Sequence, residues 1–335
     1  MYGFTSGAMG MRCLLLFGSL LQLAQAHAQS GPNDSAAVSP DRLIGYSFAN
    51  DAYFRTDYYF TQGMTLNVVH PGLRHSPVNR VLLRPRAGST SYFGVRLRYD
   101  GFTPLRIQDP FIRVGDRPYA SYIYAALYRM ANNPSRRQRL TSAVNLGFIG
   151  PAAGAKGFQT TLHEWLGAPT PRGWDYQVQN DVVLGYQLGA EKQLAAVGRL
   201  AELIGTADAS LGTLYTYASA GGLLRVGKLN PYFQNLGLTS RTNRARLRKF
   251  QLYAQARTEA RLIGYDATLQ GGLLNRHNSY TLSANQVKRG VLRSSAGLVV
   301  AYGGVSVETS AAFVSPEFDG ARRHKWVQFG LEAAF

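Results

Sequence analysis

Cysteine is almost absent: one residue, Cys13, in a chain of 335. No disulfide can form within the chain, which excludes a fold stapled by bridges. Charge is also sparse, at 16% of positions against 45% hydrophobic, and that balance excludes a disordered chain. Acids are the scarcer sign, with 19 Asp and Glu against 36 Lys and Arg, a net charge of +17. The bases are scattered rather than run together, so the imbalance does not select nucleic acid; it calls for an anionic partner of unspecified kind. Past Leu23 no stretch reaches the roughly 18 apolar residues of a membrane-spanning helix. If the chain crosses a membrane, strands must do it. The Gly-x-Ser-x-Gly pattern is missing, as are Cys/His clusters with metal-ligand spacing, which leaves an acyl-enzyme route without a candidate.

The first residues present a targeting signal. Arg12 precedes an apolar run from Cys13 to Leu23, and Ala26-His27-Ala28 puts small residues where a signal peptidase reads. A secretory signal over residues 1–28 is expected, with Met11 as the start that suits it best. Its removal would leave 307 residues, a net charge of +16 and no cysteine. Residues 29–42, rich in Ser, Pro and Asp, read as a periplasmic leader, and residues 43–335 as one domain.

That domain alternates with period two. From Phe250 to Leu262 one face carries Phe250, Leu252, Ala254, Ala256, Thr258, Ala260 and Leu262, and the other Gln251, Tyr253, Gln255, Arg257, Glu259 and Arg261. Twelve such segments are expected, at about 43–50, 61–70, 91–99, 119–130, 139–149, 177–190, 198–208, 213–227, 249–263, 289–301, 304–314 and 324–335. A secreted sandwich also alternates. Segment lengths of roughly ten or more residues, with Arg, Glu, Gln and Tyr on the polar face, favour an all-β transmembrane antiparallel barrel of about 12 strands. Closure removes the aggregation-prone edges, and an even strand number returns both termini to the periplasm. Parity then makes 51–60, 100–118, 150–176, 209–212, 264–288 and 315–323 extracellular. The connections 71–90 and 228–248, on the periplasmic side, are longer than the usual turns there.

Polar residues of unusual type gather at three extracellular strand ends: Ala49-Asn50-Asp51 with Thr56-Asp57 and Phe60-Thr61-Gln62-Gly63; Thr103-Pro104 with Asp116-Arg117-Pro118-Tyr119-Ala120; and Gly150-Pro151 through His163 to Gly173-Trp174. Phe158, Leu162, Trp165 and Leu166 recur at helical spacing, predicting a short helix laid on the rim. A neutral imidazole at His163 has the proton affinity to take a proton from water near neutral pH; a lone histidine beside a tryptophan can equally well just pack. Asn50-Asp51 offers hard oxygens for calcium, and is as readily a turn. Thr61 is expected to point into the lumen with Gly63, Thr65 and Asn67, and Asp116-Arg117 to form an ion pair inside its loop.

These motifs, five in order along most of the chain, resemble the outer-membrane lipid A 3-O-deacylase family. The resemblance implies a twelve-stranded barrel that hydrolyses the 3-position acyl ester of lipid A with the help of calcium. It also implies His163 as general base of a water attack, Asn50 and Asp51 at the active centre, Asp51 as ligand of the calcium ion or partner of the histidine, and Thr61 lining the site. Arg106 and Arg113 are both candidates for a basic residue near the second outer loop. Lipid A or lipopolysaccharide in the outer leaflet would be the partner, reached from the extracellular rim of the outer membrane, with no role for nucleic acid. The alternative is a non-enzymatic barrel, a small pore or a surface-binding protein.

Overall fold

The computed structural model describes residues 37–54, 56–240 and 247–335. The expected signal peptide and residues 29–36 of the expected leader lie outside the described residues. A two-residue strand, β1 (Ala37–Val38), adds in parallel to β4. The other twelve strands are antiparallel: β2 (Leu43–Asn50), β3 (Tyr59–Val69), β4 (Thr90–Thr103), β5 (Ala120–Asn133), β6 (Gln138–Ile149), β7 (Asp181–Val197), β8 (Ala201–Gly212), β9 (Tyr215–Lys228), β10 (Phe250–Asp266), β11 (Gly290–Tyr302), β12 (Val305–Val314) and β13 (His324–Ala334). Each pairs with its sequence neighbours, and β13 pairs with β2, so the sheet closes on itself. Every barrel strand overlaps one of the twelve alternating segments.

The phase of the alternation is that of a membrane barrel. On β10, Phe250 and Leu252 are 40% and 47% exposed, while Gln251 between them is buried. Apolar side chains therefore face outward and polar ones inward. Ion pairs cross the lumen, among them Arg98–Asp100 at 2.9 Å, Arg139–Glu191 at 3.4 Å, Arg257–Asp208 at 3.5 Å and Arg225–Glu202. Packing is tight under the top of β3: a Cβ on Gly63 would lie 2.6 Å from Asp100 Oδ1 and 2.7 Å from Phe60 Cζ, so only glycine fits.

Both ends of the lumen are occupied by chain. At one end Arg117, 1% exposed, pairs through Nη1 with Glu317 Oε2 at 2.8 Å, donates through Nη2 to Thr268 Oγ1 at 2.6 Å and stacks over Phe102 at 4.2 Å. It ties together the β4–β5, β10–β11 and β12–β13 connections. The expected Asp116–Arg117 ion pair is not made. The two side chains leave the backbone in different directions, and Asp116 instead accepts from Arg113 Nε and from Leu105 N. At the other end residues 229–240 fold against inward side chains: Arg139 donates to Tyr232 O, Asn132 to Asn235 O and Gln251 to Gly237 O. The unusual length of that connection is the length of a plug.

Candidate active site

The site begins at the end of β2. Ile44 and Tyr46 face outward, and by the same period Asn50 does too. Asn50 Nδ2 donates to Thr61 O at 2.9 Å, and its Oδ1 accepts from Ala52 N at 2.7 Å, an Asx turn that opens the 3-10 turn Ala52–Phe54. Asn50 thus joins the two strand ends.

Thr61 occupies a β-bulge. The β3–β4 register shifts between Phe60 and Gln62, so Thr61 has no partner of its own and sits on the same side as Gln62. The expected lumen orientation is therefore wrong: strict alternation from Gly63 would send Thr61 inward, but the extra residue turns it out. Its hydroxyl donates to Asp57 Oδ1 at 3.2 Å. The other oxygen of Asp57 lies 3.8 Å from His163 Nε2.

His163 is brought there by α1 (Ala155–Leu166), which ends at Gly167 in the left-handed conformation. The helix lies on the outer wall: Phe158 meets the outward Tyr99 of β4 at 6.2 Å between ring centroids, and Tyr99 OH accepts from Gln62 Nε2 at 2.8 Å. The face turned to the wall is the stripe Ala155, Gln159 and His163, spaced four apart. This corrects the expected stripe. Trp165 is 82% exposed and Leu166 62%, with Phe158 at its rim, so the apolar side of α1 looks away from the protein. On a barrel whose outer face meets lipid, an apolar surface need not be buried by protein.

Two contacts set the chemistry of the pair. His163 Nδ1 lies 2.7 Å from Pro169 O. Because a carbonyl only accepts, a neutral ring must carry its proton on Nδ1, which leaves the Nε2 lone pair facing Asp57. At 3.8 Å these two groups are too far apart for a direct hydrogen bond. Asp57 is held above the usual carboxylate range by burial, against the lowering effects of His163 and the Thr61 hydroxyl.

Asp51 lies at the base of the site, 2% exposed, with Oδ2 accepting from Tyr58 N at 3.2 Å. Burial, and secondarily the charge of Asp57, push it up to about 8. Of the two roles expected for Asp51, partner of the histidine falls to Asp57, because the eight-residue connection 51–58 carries Asp57 back over the bulge. Asp57 was visible in the sequence only as one member of a polar cluster.

Gln159 stood in the sequence only as a member of the third polar cluster, with no role assigned. Trp174 Nε1, a donor only, bonds Gln159 Oε1 at 2.7 Å, which fixes the orientation of the amide. Its Nε2 is buried without a partner among the described residues, one helical turn before His163. Neither basic candidate joins this group: Arg113 is bonded to Asp109 and Asp116, and Arg106, largely exposed, faces Asp109 at 3.8 Å.

Calcium can be tested against these donors. Among the described residues no three His, Cys, Asp or Glu converge as a metal cluster. Asp51 and Asp57 nevertheless bring hard oxygens close together with no basic side chain among the described residues paired to Asp51, so a divalent cation that displaces the Asp51 proton would keep much of its water there. The donor chemistry fits.

A family model described as "Outer membrane protein LpxR" matches residues 13–335. Among solved structures, LpxR from Salmonella typhimurium aligns with a TM-score of 0.70 at 18% identity, covering 87% of this chain and 99% of that one. The β domain of the Bordetella autotransporter BrkA aligns with a TM-score of 0.43 at 11% identity, covering 89% of this chain and 99% of that one. None of the curated proteins matches by sequence.

Proposed function

The chain belongs to the LpxR family of outer membrane proteins, and on that premise we propose that the cleft between α1 and the outer wall of β3 hydrolyses the 3-position acyl ester of lipid A. The observation that carries this is the juxtaposition of His163 Nε2 with Asp57 on the outward face of the barrel, where a lipid lying alongside can reach it. By strand parity this end is extracellular, the side on which lipid A resides. Occupation of both lumen ends by chain weighs against the pore alternative.

In this mechanism a water held between His163 and Asp57 attacks the acyl carbon while its proton passes to His163 Nε2. The Nδ1 bond to Pro169 O keeps the ring in the tautomer that can accept it. The ester C–O bond then breaks, and His163 returns the proton to the departing sugar oxygen. The products are a fatty acid and a free 3-hydroxyl. Thr61 holds Asp57 in place, and Gln159 Nε2 donates to the carbonyl oxygen as it gains charge. Calcium bound at Asp51 would add positive charge at the same oxygen.

Two outcomes are expected here. Gln159→Leu should slow acyl release by about 100-fold, the usual cost of one missing donor to an oxyanion, with little change in substrate affinity. Equal turnover in wild type and variant would remove Gln159 from the mechanism. Calcium binding should be proton-linked: below about pH 8 the cation must displace the Asp51 proton, so affinity should rise by up to about tenfold per pH unit and level off above. Calorimetric titration between pH 6 and 9 measures this, and a flat profile would rule out Asp51 as the ligand.

A further inference from the structure

The connections at the two ends of the barrel differ in charge. At the end bearing the candidate site, residues 51–54, 56–58, 104–119, 150–180, 213–214, 267–289 and 315–323 contain ten Lys and Arg and eight Asp and Glu. At the opposite end, residues 70–89, 134–137, 198–200, 229–240, 247–249 and 303–304 contain nine Lys and Arg and no acid, and the link 39–42 before β2 adds one Asp and one Arg.

One of these connections lies along the wall and not below it. Residues 71–85, with 3-10 turns at Pro71–His75 and Pro77–Arg80, rest on outward side chains of β5, β6 and β7. Arg129 Nη1 donates to Leu83 O at 3.0 Å, Leu83 N to Ser142 Oγ at 3.0 Å and Tyr186 OH to Val81 O at 2.9 Å. Further along the same strands, on the same face, Leu146, four residues past Ser142, and Leu184, two residues from Tyr186, begin the exposed apolar band. Arg74, Arg80 and Arg84 are exposed on this segment, and the described ion pairs include none of them. Val81, exposed among them, supplies an apolar contact.

We propose that the segment 71–85 is a binding surface for anionic phospholipid headgroups of the leaflet on the periplasmic side. Charge complementarity names the partner: a row of guanidinium groups without acids matches phosphodiesters bidentately. Position favours a lipid over a soluble acidic protein, because the segment flanks the apolar band at headgroup depth. The surface lies at the opposite end from the candidate site and does not depend on the hydrolytic mechanism.

The test uses the folded barrel reconstituted in nanodiscs of phosphatidylcholine with phosphatidylglycerol, with lipids retained after extraction into detergent counted by native mass spectrometry. Wild type should retain phosphatidylglycerol over phosphatidylcholine by more than tenfold, from roughly fivefold per arginine. The triple variant R74Q/R80Q/R84Q should lose most of that preference, R74K/R80K/R84K should keep most of it, and both should retain deacylase activity. Equal retention of the two lipids by wild type overturns the proposal, as does an undiminished preference in the glutamine variant shown by heat-dependent gel migration to be folded. Displacement of phosphatidylglycerol by polyglutamate at equal charge would overturn it in favour of an acidic protein.

Discussion

His163→Ala is expected to lower acyl release from lipid A by about 10³-fold, within the range for loss of a general base, while leaving the barrel intact. Three features set that size. The imidazole has a lone pair aimed at the position of the attacking water, because its other nitrogen is committed to Pro169 O. Asp57, the nearest carboxylate, is held by Thr61 and orients the water. The helix that carries His163 is anchored elsewhere, through Ala155 and through the bond between Gln159 and Trp174, so truncation at 163 should not detach it. Heat-dependent gel migration checks the fold and mass spectrometry of released acid checks the rate. A folded variant that turns over at the wild-type rate removes the histidine from the reaction.

Asp51→Asn should cost about 10² to 10³ in rate, the usual effect of removing electrostatic stabilisation from an oxyanion, and should abolish the response to calcium. Its effect on stability has the opposite direction. With its carboxyl pushed up to about 8, folded Asp51 holds a proton that the unfolded chain releases near pH 4. Stability in calcium-free buffer is therefore greatest below the unfolded value and is lost as pH rises from about 4 through about 8. The amide carries no such proton, so the variant should show a flatter pH profile of thermal unfolding across that window and be the more stable form at its upper end. A variant as steep as wild type would mean that another group carries the pH dependence.

The barrel was legible because its physics is local. Outward apolar and inward polar side chains alternate on every strand, and the register of β10 with β9 and β11 keeps that phase over more than ten pairs. The spacing of Phe158, Leu162, Trp165 and Leu166 marked a short helix, whereas strand ends were read less closely: β7 runs from Asp181 to Val197 where 177–190 was expected. Four features were not legible, and each depends on contacts distant in the chain or on one inserted residue. Thr61 faces out because a single bulge residue reverses the phase, and nothing in Phe60-Thr61-Gln62-Gly63 marks where the insertion falls. Helix α1 turns Gln159 and His163 to the protein and Trp165 to the surroundings, the inverse of the rule for soluble proteins, since here the solvent on that side is apolar. Asp57 displaces Asp51 as the neighbour of the histidine through the path of a connecting loop. The plug 229–240 and the wall segment 71–85 read only as overlong connections, because their partners include side chains of strands 50 to 105 residues away in sequence.

The central claim is that an ester of lipid A is hydrolysed in the cleft under α1. It is tested most directly by incubating the purified barrel with lipid A in detergent and calcium and recording the lipid mass spectrum. The mechanism predicts a product lighter by one ester-linked acyl group at the 3-position, together with one equivalent of the free fatty acid. An unchanged spectrum from a barrel whose gel migration shows it folded would contradict the claim.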